Sequence, residues 1–516
     1  MLSRVYTSGI LGIDGFEITV ECSSWNRIPK FELVGLPDAA VKEAKNRVQS
    51  ACENSGIKFP SLDIMINMAP ADIKKEGSAF DLAILVAVLQ SGGVISAAID
   101  LSDKCIVGEL SLSGEVRAVG GVLSMTVCAK ENGKKEIYVP YDNRGEAAVV
   151  DGIKVYGVKS LSQLIAHIKG EELMQPENCS VTESSFERKE SEFDFSDVRG
   201  QYKAKRALEI AAAGGHNVLM IGPPGAGKSM IAKRLGSILP DMSFDEAIET
   251  TKVHSVMGIL KTNLVTDRPF RSPHHTVTPA GFIGGGAAAK PGEISIAHNG
   301  ILFLDELPEF KKTVTEALRQ PMEDGVVTIT RVQAKITYPS RFMLVAAMNP
   351  CRCGFFGDST KQCTCTPQMI RSYLDKVSGP LLDRMDIQIE LPAVTYDEIS
   401  GKSAAGESSL EIRKRVNAAR AFTRERLVRG GDGNKAGTLN ANMTPALVRK
   451  YCKPTEEASE LLREAYESLG LSARGHDKVL RIARTIADLD GSDLITEEHV
   501  AEAIMYRSLD RKYWNR

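Results

Sequence analysis

What the chain lacks narrows the field before any motif is read. Its 516 residues carry no charge excess: 64 Lys and Arg against 66 Asp and Glu leave a formal charge of -2. A global basic signature for nucleic acid is therefore missing, and any grip on DNA must come from a local stripe or loop. No apolar run approaches the roughly 20 residues of a membrane span; LAILVAVL, after Asp81, reads as a buried helix. The opening MLSRVYTSGILGIDGF has no signal-peptide architecture, because polar residues and glycines break its apolar stretch. No internal repeat is visible, which argues against a solenoid or propeller. Without a signal, the ten cysteines point to a reducing compartment with thiols or a metal site, not to a disulfide framework. The expectation is a soluble, cytoplasmic chain without membrane contact.

What is present fits a multidomain protein. Hydrophobic residues make up 43% and charged residues 25%, an ordinary globular mixture, and the length predicts two to four domains. Residues 1–170 mix strand-like alternation (FEITVEC) with helical spacing (AVKEAKNRVQSAC). Residues 171–193 are polar and aperiodic, as a linker is. From 194 to 398, strands and helices alternate as in a three-layer α/β domain with a parallel sheet. Residues 399–516 read as an Arg-rich connecting helix followed by a helical bundle.

The chemistry concentrates in the third segment. GPPGAGKS comprises Gly222, Pro223, Pro224, Gly225, Ala226, Gly227, Lys228 and Ser229, between the apolar strand NVLMI and the helix MIAKRLGSIL. That is the phosphate-binding loop in its required strand–helix context. Backbone N–H groups and a helix N-terminus face the phosphates, Lys228 bridges the β- and γ-phosphates, and Ser229 binds Mg²⁺. ILFLDE then delivers two carboxylates at the end of a buried strand, where ligands bind in open α/β sheets. Asp305 is expected to hold the Mg²⁺ and Glu306 to orient the attacking water. FMLVAAMN ends in Asn349, a polar sensor for the γ-phosphate.

This combination resembles AAA+ ATPases, and GEISIAHNGILFLDE, AAMNP and SGPLLDRMD resemble their magnesium-chelatase and MCM-helicase branch. The resemblance implies that Arg384 is an arginine finger acting on a neighbouring subunit, with Arg371 a weaker rival. It also implies that Arg481 is the second sensor in the lid, with Arg474 and Arg484 as alternatives. Immediately after Asn349, Cys351, Cys353, Cys363 and Cys365 form two Cys-x-Cys hooks. These either hold one structural zinc in a closed four-thiolate site or are free structural thiols. Counting back from Asn349, Arg331 falls where MCM helicases carry a channel-hairpin lysine, and Arg341 matches an arginine nearer the strand; Lys335 is a second, weaker candidate for DNA contact.

In the first segment, KKEGSAFDLAI and GELSLSGEVRAVGG resemble the Lon-protease-like domain. The nucleophile position falls on Ala79, with Ser78 one place away, and the lysine position falls on Leu123, with none before Lys130. A Ser-Lys mechanism needs both partners, so this domain is expected to be inactive. The whole architecture, with RPFRSPHHT, IGGG, PGEIS, LPEF and NPCxCG, is similar to the bacterial YifB/ComM family. Membership implies an ATP- and Mg²⁺-dependent homohexameric motor, a DNA helicase or translocase of branch migration binding DNA without sequence preference. The competing readings are the motor of a magnesium-chelatase-like complex and a Lon-like ATP-dependent protease. His274-His275 of RPFRSPHHT reads as a satisfied loop pair.

Overall fold

The computed structural model describes residues 2–178, 193–286, 289–330, 335–358, 361–393, 406–435 and 437–514. The chain forms two compact units, Met1–Glu187 with Ser243–Thr266, and Arg188–Met242 with Asp267–Arg516.

The first unit is built on a mixed seven-stranded sheet. Its strands are β1 (Leu2–Leu11), β2 (Asp14–Trp25), β3 (Lys30–Val34), β4 (Asp63–Ala69), β5 (Lys104–Ile106), β6 (Glu136–Pro140) and β7 (Lys154–Val158). They lie in the order β3-β4-β2-β1-β5-β6-β7. The β1–β2 pair is antiparallel and in register from Leu2–Ser23 to Leu11–Asp14, so the alternation of FEITVEC puts Ile18, Val20 and Cys22 on one buried face. The helix Asp81–Ser91 is buried along its whole length, which explains why its sequence is apolar all round instead of amphipathic. Its one acid, Asp81, receives both arms of Arg47 at 2.8 and 2.9 Å. Burial alone raises the Asp81 carboxyl, and the paired guanidinium opposes that.

Two features differ from the sequence-based boundaries. The helix Phe244–Val256, capped by Ser243 and Glu246, falls in the stretch expected to be core but clusters with the first unit. There, the Ser255 hydroxyl accepts from the Gly121 N–H at 2.9 Å and donates to Glu146. The described start of the expected linker is also anchored, since Glu177 N–H donates to Val155 O at 2.8 Å.

The second unit carries β8 (Val218–Ile221), β9 (Phe270–Arg271), β10 (Ile301–Leu304), β11 (Val326–Thr330), β12 (Lys335–Pro339), β13 (Met343–Met348) and β14 (Ile387–Glu390). Five of them form a parallel sheet ordered β9-β10-β13-β8-β14. Central strands β8, β10 and β13 are buried at every position, as expected of a sheet covered on both faces. Strands β11 and β12 form a separate antiparallel hairpin, Val326 opposite Pro339 and Thr330 opposite Lys335. The C-terminal helices share a core with this sheet: Ile412, Val416, Val479, Ile482 and Val500 belong to the same apolar cluster as Val218, Phe303 and Ile387. Each such fully buried aliphatic side chain contributes about 1.5–3 kcal/mol, so the helical region and the sheet stabilise one another.

Candidate functional site

The site forms where three neighbouring parallel strands end. Strand β8 runs into the Gly222–Ser229 loop, and the helix Lys228–Ile238 starts as the loop closes, with Gly227 at φ +83° as its N-cap. That left-handed backbone is accessible at little cost only to glycine. Lys228 folds back into the loop, where its ammonium donates to Gly222 O at 2.7 Å, Pro223 O at 3.0 Å and Asn349 Oδ1 at 3.0 Å. Burial lowers its pKa, against the pull of the Asp305 and Glu306 carboxylates. One turn of contact further, Ser229 Oγ donates to Asp305 Oδ2 at 2.5 Å. The structure therefore brings together the loop lysine and serine, the first acid after β10 and the asparagine after β13.

Glu306 stands apart from these contacts. Its side chain is 60% exposed, its backbone sits at φ +53°, ψ +49°, and its N–H donates to Asp305 Oδ1 at 3.0 Å. A left-handed non-glycine residue is strained, and such strain concentrates at functional sites. The adjacent hydroxyl and carboxylate of Ser229 and Asp305 are hard oxygen donors of the kind Mg²⁺ takes.

The arginines fall elsewhere. Arg384 donates to Pro380 O at 2.7 Å and pairs with Glu323, not with Asp383 or Asp386. The residues that follow it are locked from the C-terminal helices: Met385 O accepts from Lys478 at 3.1 Å and Arg507 at 2.6 Å. Asp386 meets Lys478 at 3.1 Å and His216 at 3.5 Å. Burial raises the Asp386 carboxyl, but Lys478 and His216 together bring it well below its ordinary value. Arg481 donates to Ala441 O at 3.1 Å. Its alternative Arg484 is ruled out as a sensor by its surroundings, being fully buried and bonded to Asp488, Asp493 O and Ser492 O. Arg474 and Arg371 are exposed.

The four cysteines converge. All four Sγ atoms lie within 4.8 Å of one another, with 3.4 Å between Cys351 and Cys353, 3.7 Å between Cys351 and Cys363, and 3.5 Å between Cys353 and Cys363. A tetrahedral zinc with Zn–S bonds of about 2.3 Å separates its sulfurs by about 3.8 Å, so the spacing suits that ion. Backbone N–H groups of Phe355 and Thr364 point at Cys353 and hold its thiol down at about 5, whereas the thiols of Cys351, Cys363 and Cys365 beside it are raised. The loop also bears on the nucleotide site. Gly354 sits at φ +89°, where an added Cβ would lie 2.5 Å from Pro224 Cδ, so only glycine allows this close approach to the phosphate-binding loop.

Lys335 opens β12 and is exposed. Arg331 lies outside the described residues, as do 332–334. Arg341 borders Gly325, and its backbone N–H donates to His298 Nδ1 at 3.0 Å. The residue that sequence reasoning passed over is His275, whose Nδ1 stands 3.9 Å from Glu306 Oε2; its only signal was its place in RPFRSPHHT.

The strand order, the phosphate-binding loop and the paired acids define a magnesium-chelatase-type AAA+ ATPase. The family model for "Magnesium chelatase, subunit ChlI" matches residues 194–399, "Subunit ChlI of Mg-chelatase" matches 20–143, and "Magnesium chelatase, subunit ChlI C-terminal" matches 406–507. The chain is 42% identical over 512 residues to "Uncharacterized protein YifB" of Escherichia coli, covering 99% of this chain and 98% of that one. It is 41% identical over 513 residues to "Competence protein ComM" of Haemophilus influenzae, with the same shares of 99% and 98%. A partial match reaches "DNA replication licensing factor Mcm6" of Drosophila melanogaster, 23% identical over 337 residues, 60% of this chain and 36% of that protein. The chain belongs to the YifB/ComM family of magnesium-chelatase-like AAA+ proteins. Family membership implies ATPase activity with ATP and Mg²⁺.

Proposed function

We propose that the chain is the subunit of a homohexameric DNA helicase or translocase that drives branch migration in recombination or natural transformation. The observation that carries the motor reading is the convergence of Lys228, Ser229, Asp305 and Asn349 at one sheet edge. In this reading Lys228 leaves its carbonyl partners for the β- and γ-phosphates. Ser229 and Asp305 hold Mg²⁺, which neutralises phosphate charge when bound. Glu306 takes the proton of the attacking water, and Asn349 reports the γ-phosphate. Arg384 exchanges Glu323 for the phosphate of a neighbouring subunit, supplying charge late in the reaction, and Arg481 is the lid sensor.

The DNA reading rests on the hairpin β11–β12, which immediately precedes the sensor strand β13. One cation per subunit at its tip, Arg331 with Lys335 beside it, would collar a central channel even in a chain of charge -2. Phosphate contacts carry no base information, so binding is tolerant of sequence and weakened by salt. The names of two relatives, a competence protein and a replication licensing factor, agree with DNA as the partner. The cysteine cluster holds one zinc per chain, which staples the loop that backs Pro224.

The test is ATPase rate titrated with single-stranded DNA, with a chelatase partner subunit and with an unfolded protein. Stimulation by DNA alone supports the proposal, and its loss in Arg331→Ala with basal ATPase intact supports the channel hairpin. Stimulation only by the chelatase subunit or the unfolded protein would replace it with one of the other two motors.

A further inference from the structure

The tandem His274-His275 has no part in the machinery derived so far, yet the fold carries it to the reaction centre. Strands β9 and β10 are parallel neighbours, with Phe270 opposite Ile301 and Arg271 opposite Leu302. Both chains leave the sheet at the same edge. Counting four residues on from the Arg271–Leu302 pair brings His275 level with Glu306, and the side chains agree: His275 Nδ1 lies 3.9 Å from Glu306 Oε2.

The surroundings hold this imidazole in place. The His274 ring lies against it, centroids 4.0 Å apart, and Phe310 meets it edge-on at 6.4 Å. His274 is itself tethered by Thr276, Nδ1 to Oγ1 at 2.9 Å. At the strand end, Arg271 is clamped by Glu293 through two bonds of 2.7 Å. Facing this ring is a carboxylate that is 60% exposed and, among the described residues, has no hydrogen bond of its own; the residue is tied down through its backbone, N–H to Asp305 Oδ1 at 3.0 Å and O from Glu309 N–H at 2.8 Å. A general base must be aimed as well as charged, and nothing else described here aims Glu306. The 3.9 Å gap exceeds a hydrogen bond, and one side-chain rotation or one bridging water closes it.

We infer that His275 is a positioning residue for Glu306: its ring N–H holds the carboxylate where it accepts the proton of the attacking water. The inference rests on the hydrolytic reading of the site. In that step the water oxygen bonds to the γ-phosphorus, the bond from phosphorus to the ADP oxygen breaks, and the water proton passes to Glu306.

The test is steady-state ATPase and nucleotide binding on the full-length chain, with His275→Ala, His275→Asn, Glu306→Asp and the double variant His275→Ala/Glu306→Asp. His275→Ala should lower kcat about tenfold, with KM, nucleotide Kd and melting temperature unchanged. His275→Asn, whose amide N–H falls near the position of Nδ1, should recover most of the lost rate. In the Glu306→Asp background, where the shortened carboxylate has already left its partner, His275→Ala should cost less than about twofold more. An unchanged kcat in His275→Ala overturns the inference. So does a joint fall in nucleotide affinity and melting temperature, which marks a merely structural ring, and so do additive effects in the double variant. An inactive wild-type chain overturns the hydrolytic reading and this inference together, whereas active wild-type with indifferent His275 variants overturns this inference alone.

Discussion

Each unit of the molecule contains a buried lysine close to a serine, and comparing the two shows what makes a reaction site. In the first unit Lys75 is fully buried, its ammonium bonded to Pro70 O, and burial lowers its pKa. In the second, Lys228 is equally tucked onto backbone carbonyls and shifted in the same direction by the same cause. Burial and a depressed pKa therefore do not distinguish them. Their neighbours do. Lys228 also donates to Asn349, and its sequence neighbour Ser229 meets Asp305 beside the exposed Glu306. Around Lys75 no such polar set converges among the described residues: Ser78 donates to Glu109, Ala79 is buried, and Leu123, at the second expected dyad position, is enclosed with its backbone N–H on Glu146 at 2.9 Å. Alkyl side chains, Ala79 and Leu123, stand at the two positions where the resemblance to the Lon-protease-like domain places the Ser-Lys pair.

The sharpest way to extend this contrast is through Arg384, which the single chain parks on Glu323. Arg384→Ala should bind ATP normally yet lower kcat about a thousandfold. Mixing it with Glu306→Gln subunits should recover part of the activity, because mixed interfaces of one orientation pair the acid of an Arg384→Ala subunit with the finger of a Glu306→Gln subunit. A mixture no faster than its parents would confine the reaction to one subunit and break the contrast.

Next in size is the lock behind that arginine. Asp386→Ala strands the Lys478 ammonium among buried groups, and removing one partner of a buried pair costs about 3–5 kcal/mol. Denaturant unfolding of the second unit should show that loss. The stabilisation is also pH-dependent. The Asp386 pKa is depressed in the folded chain from an ordinary 3.8, so its contribution is complete above that value and fades as pH falls through the lower folded one. A variant as stable as the parent would mean that the segment carrying Arg384 is not braced from the C-terminal helices.

A smaller effect is expected at the cysteines. Elemental analysis should find about one zinc per chain, lost in Cys351→Ser/Cys363→Ser together with several degrees of thermal stability. Because Gly354 abuts Pro224, nucleotide affinity should weaken modestly in the same variant. Metal-free protein of unchanged stability would leave the cluster as free thiols.

Much of the second unit was legible in the sequence because its signals are local. NVLMI, ILFL and FMLVAAM are apolar runs too short for helices; the first runs into the glycine-rich loop, and the other two are followed by the polar residue that the sheet edge presents, Asp305 and Asn349. The end of the helix Tyr202–Gly214 was readable from Gly215, at φ +74°. What stayed hidden depends on pairing across long separations. Nothing around Ser243 marks the helix Phe244–Val256 as a member of the first unit, since its capping box fixes only where it starts. Glu323 lies 61 residues from Arg384 and carries no motif. The link from His275 to Glu306 needs the β9–β10 register, and β9 is two residues long, too short for any periodicity to announce it.

The central claim, that ATP chemistry belongs to the second unit and none to the first, is tested most directly by one side-by-side measurement. ATP binding, ATP turnover and ATP-dependent cleavage of an unfolded protein should be followed in wild-type, Lys228→Ala and Ser78→Ala chains. The account predicts that Lys228→Ala loses binding and turnover, that Ser78→Ala matches wild-type in both, and that no chain cleaves protein. Turnover surviving in Lys228→Ala, or cleavage by wild-type that disappears in Ser78→Ala, would contradict it.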